Sequence, residues 1–164
     1  MILLTTSRKP SNRTRRFARE LSYTLPYALY MPRGKSSIAD LIERAEEKGF
    51  HRIIIIGETK GNPSILRVLV REDRWHWFAQ AYITSVSLYV DLGLRPVRIL
   101  ADGLTLKTDR FSDFIRGVFG VYEESDVLTL EERDGNIRFL YEGREVGPRF
   151  KITGVDPVPS ALRL

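Results

Sequence analysis

Apolar and polar positions divide the chain into short segments punctuated by Pro and Gly. Ile2, Leu3 and Leu4 open a run that predicts a buried strand over residues 2–6. Pro10 interrupts the polar stretch after that strand, and Ser11 is placed to cap a helix over residues 13–25. At about 100° per residue, Phe17, Ala18, Leu21 and Leu25 fall on one face of that helix, while Arg15, Arg16 and Arg19 fall on the other. Pro26 closes it. Ala28–Met31 reads as a short strand and Pro32-Arg33-Gly34-Lys35 as a turn. Ser36 or Ser37 then caps a second helix, with Ile38, Leu41, Ile42 and Ala45 at core spacing and Gly49 as its C-terminal stop. Four consecutive isoleucines within Arg52–Gly57 require a strand buried on both faces. Glu58 to Pro63 reads as a turn, and Ile65–Val70 as the hairpin partner.

The second part of the chain is read the same way. Arg74-Trp75-His76-Trp77-Phe78 forms an aromatic knot, and Ala81–Val90 alternates as a strand. A break at Gly93–Pro96 precedes a strand over Val97–Leu100. Asp102-Gly103 turns, and Asp109 caps a helix that runs to Gly117 with Phe111, Phe114, Ile115 and Val118 inward. Val127–Glu131 and Ile137–Tyr141 flank Asp134-Gly135-Asn136, a strong hairpin signal. Phe150–Ile152 is a last short strand, and the residues after Gly154 read as a tail. Residues 14–21 echo residues 108–115, each as a helix after an apolar strand. This predicts an α/β fold of two similar halves, dividing within 71–95.

Charge is unevenly placed. Residues 1–20 hold six cations (Arg8, Lys9, Arg13, Arg15, Arg16, Arg19) against Glu20, a net of +5. The whole chain is also +5, so the other 144 residues balance. Excess charge confined to one strand–turn–helix unit asks for an anionic partner. An ordinary exposed helix pairs Arg with Glu four residues apart, and the first turns here do not. Thr5, Thr6, Ser7 and Ser11 add neutral donors of the kind phosphate sites use. Arg33 and Lys35 bring two more cations before the second helix. The candidate RNA-binding set is therefore Arg8, Lys9, Arg13, Arg15, Arg16, Arg19, Arg33 and Lys35.

Catalytic and metal chemistry find little support. The chain has no cysteine, and His51 and His76 stand apart with no metal-type spacing, so no metal, cofactor or catalytic residue is expected. Gly34-Lys35-Ser36 lacks the upstream glycine of a phosphate-wrapping loop, because position 29 is Leu. Glu43, Glu46 and Glu47 read as a solvated helix face, as do Glu123, Glu124 and Asp126. Trp75, Trp77 and Phe78 either stack on unpaired bases or plug the junction between the halves. No basic-then-apolar leader precedes the first strand, and no apolar run is long enough to span a bilayer. The expected location is the cytoplasm, without membrane contact.

Three motifs occur in order along the chain. They are Leu4-Thr5-Thr6-Ser7-Arg8-Lys9-Pro10-Ser11 with Phe17-Ala18-Arg19-Glu20-Leu21, then Pro32-Arg33-Gly34-Lys35-Ser36, then Gly147-Pro148-Arg149-Phe150. Together they resemble the signatures of the Brix domain, over residues 1–154, leaving 155–164 as a C-terminal tail. The resemblance implies an archaeal, single-domain ribosome-biogenesis protein, similar to the Brix protein of the U3 small-nucleolar ribonucleoprotein. It implies two α/β halves related by internal duplication (about 1–75 and 76–154), each resembling a class IIa aminoacyl-tRNA synthetase anticodon-binding domain. It further implies a non-catalytic factor that binds ribosomal RNA or its precursor beside other ribosome-assembly or small-ribonucleoprotein components. The alternative is a protein-interaction module that docks an acidic partner through the arginine face and binds RNA only loosely.

Overall fold

All five residues of β1 (Ile2–Thr6) are buried, because a parallel strand lies on each side of it. These are β2 (Ala28–Tyr30), reached through α1 (Asn12–Thr24), and β3 (Arg52–Thr59), reached through α2 (Ile38–Glu47). The computed structural model describes residues 1–159. The remaining elements are β4 (Asn62–Arg71), β5 (Trp75–Ser87), β6 (Thr105–Lys107), α3 (Ser112–Phe119), β7 (Leu128–Arg133), β8 (Asn136–Tyr141) and β9 (Arg144–Asp156). All the strands join one mixed sheet in the order β2-β1-β3-β4-β5-β9-β8-β7-β6.

The four isoleucines of β3 divide the core between the two faces of that sheet. Ile54 and Ile56 pack with Ile2, Leu4, Phe17 and Leu21 on the face carrying α1 and α3. Ile53 and Ile55 pack with Leu3, Leu41, Ala45 and Trp75 on the face carrying α2. The expectation of a doubly buried strand is met residue by residue.

Several boundaries differ from the sequence reading, each for a local reason. The turn at 58–63 tightens to Lys60-Gly61, both with positive φ (51° and 78°), so β4 begins at Asn62. The aromatic knot and the strand after it merge into one 13-residue β5. That strand stops at Ser87 instead of reaching Val90. Ser85 takes a left-handed φ of 54°, and Leu88–Gly93 folds into a turn in which Leu88 N–H donates to the Asp91 carboxylate. Val97–Leu100 finds no ladder, and the strand before α3 is instead β6, parallel to β7. Asp109 does not cap α3, which begins after Phe111. Its carboxylate accepts from Asp134 N–H instead. The last strand is 13 residues, not three, and its Val155 and Asp156 still pair with β5. Residues 160–164 of the expected tail lie outside the described residues.

From each edge inward, the strand order has one logic. β1 is parallel to β3 and followed by antiparallel β4 and β5; β6 is parallel to β7 and followed by antiparallel β8 and β9. The two runs meet at the antiparallel β5–β9 pair. Their first hairpins share a motif, Glu58-x-x-Gly61-Asn62 and Glu132-x-x-Gly135-Asn136. Lys60-Gly61 and Asp134-Gly135 adopt the same left-handed turn, with φ of 48° and 84° in the second. Each glutamate also ties down the turn that leads into a helix between its parallel strands. Glu58 accepts from Ser11 N–H and the Thr14 hydroxyl, and Glu132 from the N–H groups of Asp109, Arg110 and Phe111. The echo of residues 14–21 in 108–115 is out of helical register, because Thr14 lies inside α1 and Thr108 precedes α3. β2 and α2 have no counterpart in the second run.

Candidate nucleic-acid interface

Helix α1 is held at three places. At its start the Ser11 hydroxyl accepts from Thr14 N–H, and Glu58 takes Ser11 N–H. In its middle Phe17 meets the edge of Phe150, with centroids 5.5 Å apart at 84°. At its end buried Thr24 lies directly against Gly147. The closing Gly147–Phe150 motif is therefore the seat of the opening helix, which explains why motifs so distant in sequence belong together. No acid stands in the first turn of α1 itself, and the carboxylate at its start is that of Glu58, brought in by β3.

The eight candidate cations divide into two groups. Arg13 is half-buried and donates to Val86 O at 2.7 Å and to Asp91 at 3.0 Å. It ties α1 to the end of β5. Arg33 is also half-buried and donates to Ser36 O and Thr6 O. Burial, with Arg8 nearby, draws its guanidinium below the usual range. Both are braces. Arg8, Lys9, Arg15, Arg16, Arg19 and Lys35 are exposed, and none forms an ion pair among the described residues. Arg15 bonds only Asn12, and Arg19 lies over the Tyr30 ring at 5.5 Å. Arg8 acts electrostatically on both Arg33 and Asp40, which places it at the start of α2. The N-termini of α1 and α2 and the carboxyl ends of β1 and β2 thus share one basic end, in an arrangement where parallel α/β sheets bind ligands.

A prediction separates braces from free cations. Arg13→Ala is expected to lower Tm by about 2–5 °C and to weaken RNA binding less than Arg16→Ala does. Thermal melts and a binding titration on the same samples check it.

Two cations escaped the sequence reading. Arg16, Arg19, Glu20 and Tyr23 form one wall of an open cleft of about 430 Å³, and Val90, Leu94, Arg95 and Pro96 form the other. Arg98 lies over the Tyr23 ring at 5.1 Å. Arg95 and Arg98 sit in the electrically balanced part of the chain, where a charge count does not single them out. The Gly93–Pro96 break was the available signal, since exposed loops present side chains that strands would pair. Glu20 does not face solvent. It is buried, accepts from Tyr89 N–H, and burial pushes its carboxyl up.

The aromatic knot is packed. Trp75 is buried and donates its Nε1–H to Glu46 at 3.0 Å, and Trp77 joins the α2-side core. Phe78 stacks on Phe114 at 6.3 Å and lies against Gly117 of α3. Trp75 and Trp77 thus pack against α2, and only Phe78 reaches across to α3. His51 is exposed, and His76 approaches only Arg74 O. Among the described residues no group of three or more His, Asp or Glu could hold a metal ion. No helix among them is long and apolar enough to cross a membrane.

A nine-stranded mixed sheet braced by this opening helix defines the chain as a member of a known class. A probable Brix domain-containing ribosomal biogenesis protein of Aeropyrum pernix is 31% identical over 170 residues, which cover 91% of this chain and 93% of the relative. The crystal structure of a probable ribosomal biogenesis protein from Aeropyrum pernix matches with a TM-score of 0.80 at 28% identity, covering 97% of this chain and 96% of that one. The chain belongs to the Brix domain-containing ribosomal biogenesis proteins, a family of non-catalytic factors. The U3 small nucleolar ribonucleoprotein protein IMP4 of Bos taurus is 28% identical over 173 residues, spanning 92% of this chain and 58% of that protein. The matched region spans about half the length of other curated relatives, 48% for the Pyrococcus abyssi protein. No family model matches the chain.

Proposed function

We propose that the chain is a non-catalytic RNA-binding factor in ribosome biogenesis, acting in precursor-rRNA processing and subunit assembly in the cytoplasm beside other assembly proteins. Residues 1–154 serve as its Brix domain. The basic end of the sheet grips rRNA phosphates, with Arg8, Lys9, Arg15, Arg16, Arg19 and Lys35 as contacts and Arg13 and Arg33 as the braces that aim them. The observation that carries this reading is that six cations stand exposed around α1 and the start of α2 and form no ion pair among the described residues. Like charges so placed repel one another unless a polyanion offsets them. Specificity then rests mostly on RNA shape, because the duplex RNA major groove is too narrow for side chains to read.

The two halves are taken as an internal duplication, each resembling an anticodon-binding domain of the class IIa aminoacyl-tRNA synthetases. The mirrored strand order and the repeated Glu-x-x-Gly-Asn turn support this reading. In the second half the helix carries Asp113 and Arg116 where α1 carries its stripe, so the scaffold alone does not call for a basic face.

The test is a salt series with ribosomal RNA fragments. About six phosphate contacts predict that log K falls with log salt at a slope of about −4, on the single-strand coefficient. An Arg8→Glu, Arg15→Glu, Arg16→Glu variant, which spares both braces, is expected to fold normally and to lose most of that slope. Unchanged affinity in the folded variant would sink the proposal.

A further inference from the structure

The connection between β5 and β6, residues 88–104, is long but not loose. Leu88, Tyr89, Ile99 and Leu104 are buried beneath it. Tyr89 N–H donates to Glu20 and its hydroxyl to Val97 O, Ile99 N–H donates to Tyr23 O, and the Tyr27 hydroxyl donates to Asp102. What these anchors hold outward is apolar. Val90 is 63% exposed, Val97 55% and Leu100 81%, with Tyr27 beside them at 57%. Single exposed aliphatics need no explanation, but several held outward along one anchored connection mark an interaction surface.

Two further features say what covers it. The first is charge. Arg95 and Arg98 are exposed and form no ion pair among the described residues, whereas the nearby acids are committed. Asp91 holds Arg13 and Leu88 N–H, Asp102 holds Tyr27, and Glu20 is buried. The surface is apolar and rimmed with cations at Arg95 and Arg98, with the exposed Asp102 carboxylate at its Tyr27 edge. The second is backbone. Val97-Arg98-Ile99-Leu100 has the composition of a strand yet belongs to no ladder, and no backbone hydrogen bond among the described residues involves Arg98 or Leu100. RNA supplies phosphates for the arginines and base faces for Tyr27, but no extended row of backbone donors and acceptors for the unpaired edge. An extended polypeptide supplies that row, together with carboxylates for the arginines and apolar side chains for Val90, Val97 and Leu100.

We propose that Tyr27, Val90 and residues 95–100 form a docking surface for a partner protein, which lays down an extended segment whose apolar side chains are flanked by Asp or Glu. This surface meets Arg16 and Arg19 across the cleft but includes none of Arg8, Lys9, Arg15 and Lys35, and it does not depend on their holding RNA. The test places a photo-reactive benzoylphenylalanine at position 100 of the full chain in cells, with position 43 on the outer side of α2 as control. The expected product is a ribonuclease-resistant crosslink to one polypeptide, specific to position 100. Its mapped segment should carry apolar residues between carboxylates. A synthetic peptide of that segment should bind the protein, weakened about tenfold or more by Leu100→Glu and by Arg95→Glu with Arg98→Glu. The same peptide should bind an Arg8→Glu, Lys9→Glu, Arg15→Glu variant, which is expected to lose most of its RNA affinity and spares the cleft, within about twofold, so failure of this proposal and failure of the RNA reading are told apart. Crosslinks to RNA, to a second copy of this chain, to a basic or wholly polar segment, or to nothing overturn the proposal.

Discussion

Replacing Gly147 by alanine is expected to destabilise the protein by about 2–4 kcal/mol. Two costs combine. Gly147 has a φ of 70°, a region where any Cβ is strained. A Cβ built there would stand 2.5 Å from the Thr24 hydroxyl oxygen, 2.9 Å from its methyl and 3.2 Å from its Cβ. Thr24 cannot step aside, because it is buried in the last turn of α1 and its hydroxyl bonds Glu20 O and approaches the Tyr89 hydroxyl at 3.3 Å. The strain therefore passes into the helix that carries the basic face. Urea unfolding of the variant measures the total. Thr24→Ala in the same chain removes the two shortest contacts but leaves φ unchanged, so it should recover the steric part and no more. A double-mutant cycle with no coupling between positions 24 and 147 would show that Gly147 does not seat the end of α1.

What was legible in the sequence was what neighbours in the chain decide. Ser11 caps α1 through a residue three positions on, the isoleucines of β3 are buried on both faces, and Asp134-Gly135 turns a two-residue hairpin. What was not legible depends on partners far along the chain. Val97–Leu100 has strand composition, but a strand needs a neighbour, and within this chain β6 takes the place beside β7. Asp109 looks like a helix cap by position, yet no side chain caps α3; β7 instead brings the Glu132 carboxylate to the three N–H groups before it. The repeated Glu-x-x-Gly-Asn turn was visible as letters. Its meaning appears only when β3 and β7 lie parallel to the strands that feed the helices.

The candidate site was legible to the same depth. A count of charge found the basic unit, because sign purity is a property of sequence alone. It could not separate the exposed cations from Arg13 and Arg33, whose acceptors are Val86 O, Asp91 and Thr6 O. Nor could it find Arg95 and Arg98, which matter only because the β5–β6 connection returns to α1 at Tyr23. Pattern located the helix face, and topology decided which charges on it are free.

Glu132→Gln is expected to cost about 2–3 kcal/mol at neutral pH. The side chain is 1% exposed, and its two oxygens receive four N–H donors, from Asp109 and Phe111 on one and Arg110 and Gly135 on the other, at 2.9–3.2 Å. A glutamine turns one of those oxygens into an NH2 group, which faces donors with a donor. The charge state matters in the same direction. Burial pushes this carboxyl up, but the backbone donors outweigh burial and hold it below its ordinary value of 4.5. Its contribution is therefore fully present above about pH 4.5 and is lost as pH falls through the lower folded value. The stability gap between parent and variant should be widest at neutral pH and narrow steadily below about pH 4.5, followed by urea midpoints across an acid series. Glu58 is held low by the Thr14 hydroxyl and Ser11 N–H at the matching place on α1. It is less buried, so water can replace part of what Glu58→Gln removes, and its gap should be smaller with the same sign. A gap that widened on acidification for either variant would mean that the glutamate replaced is not ionised in the fold, and the turn it holds would need another account.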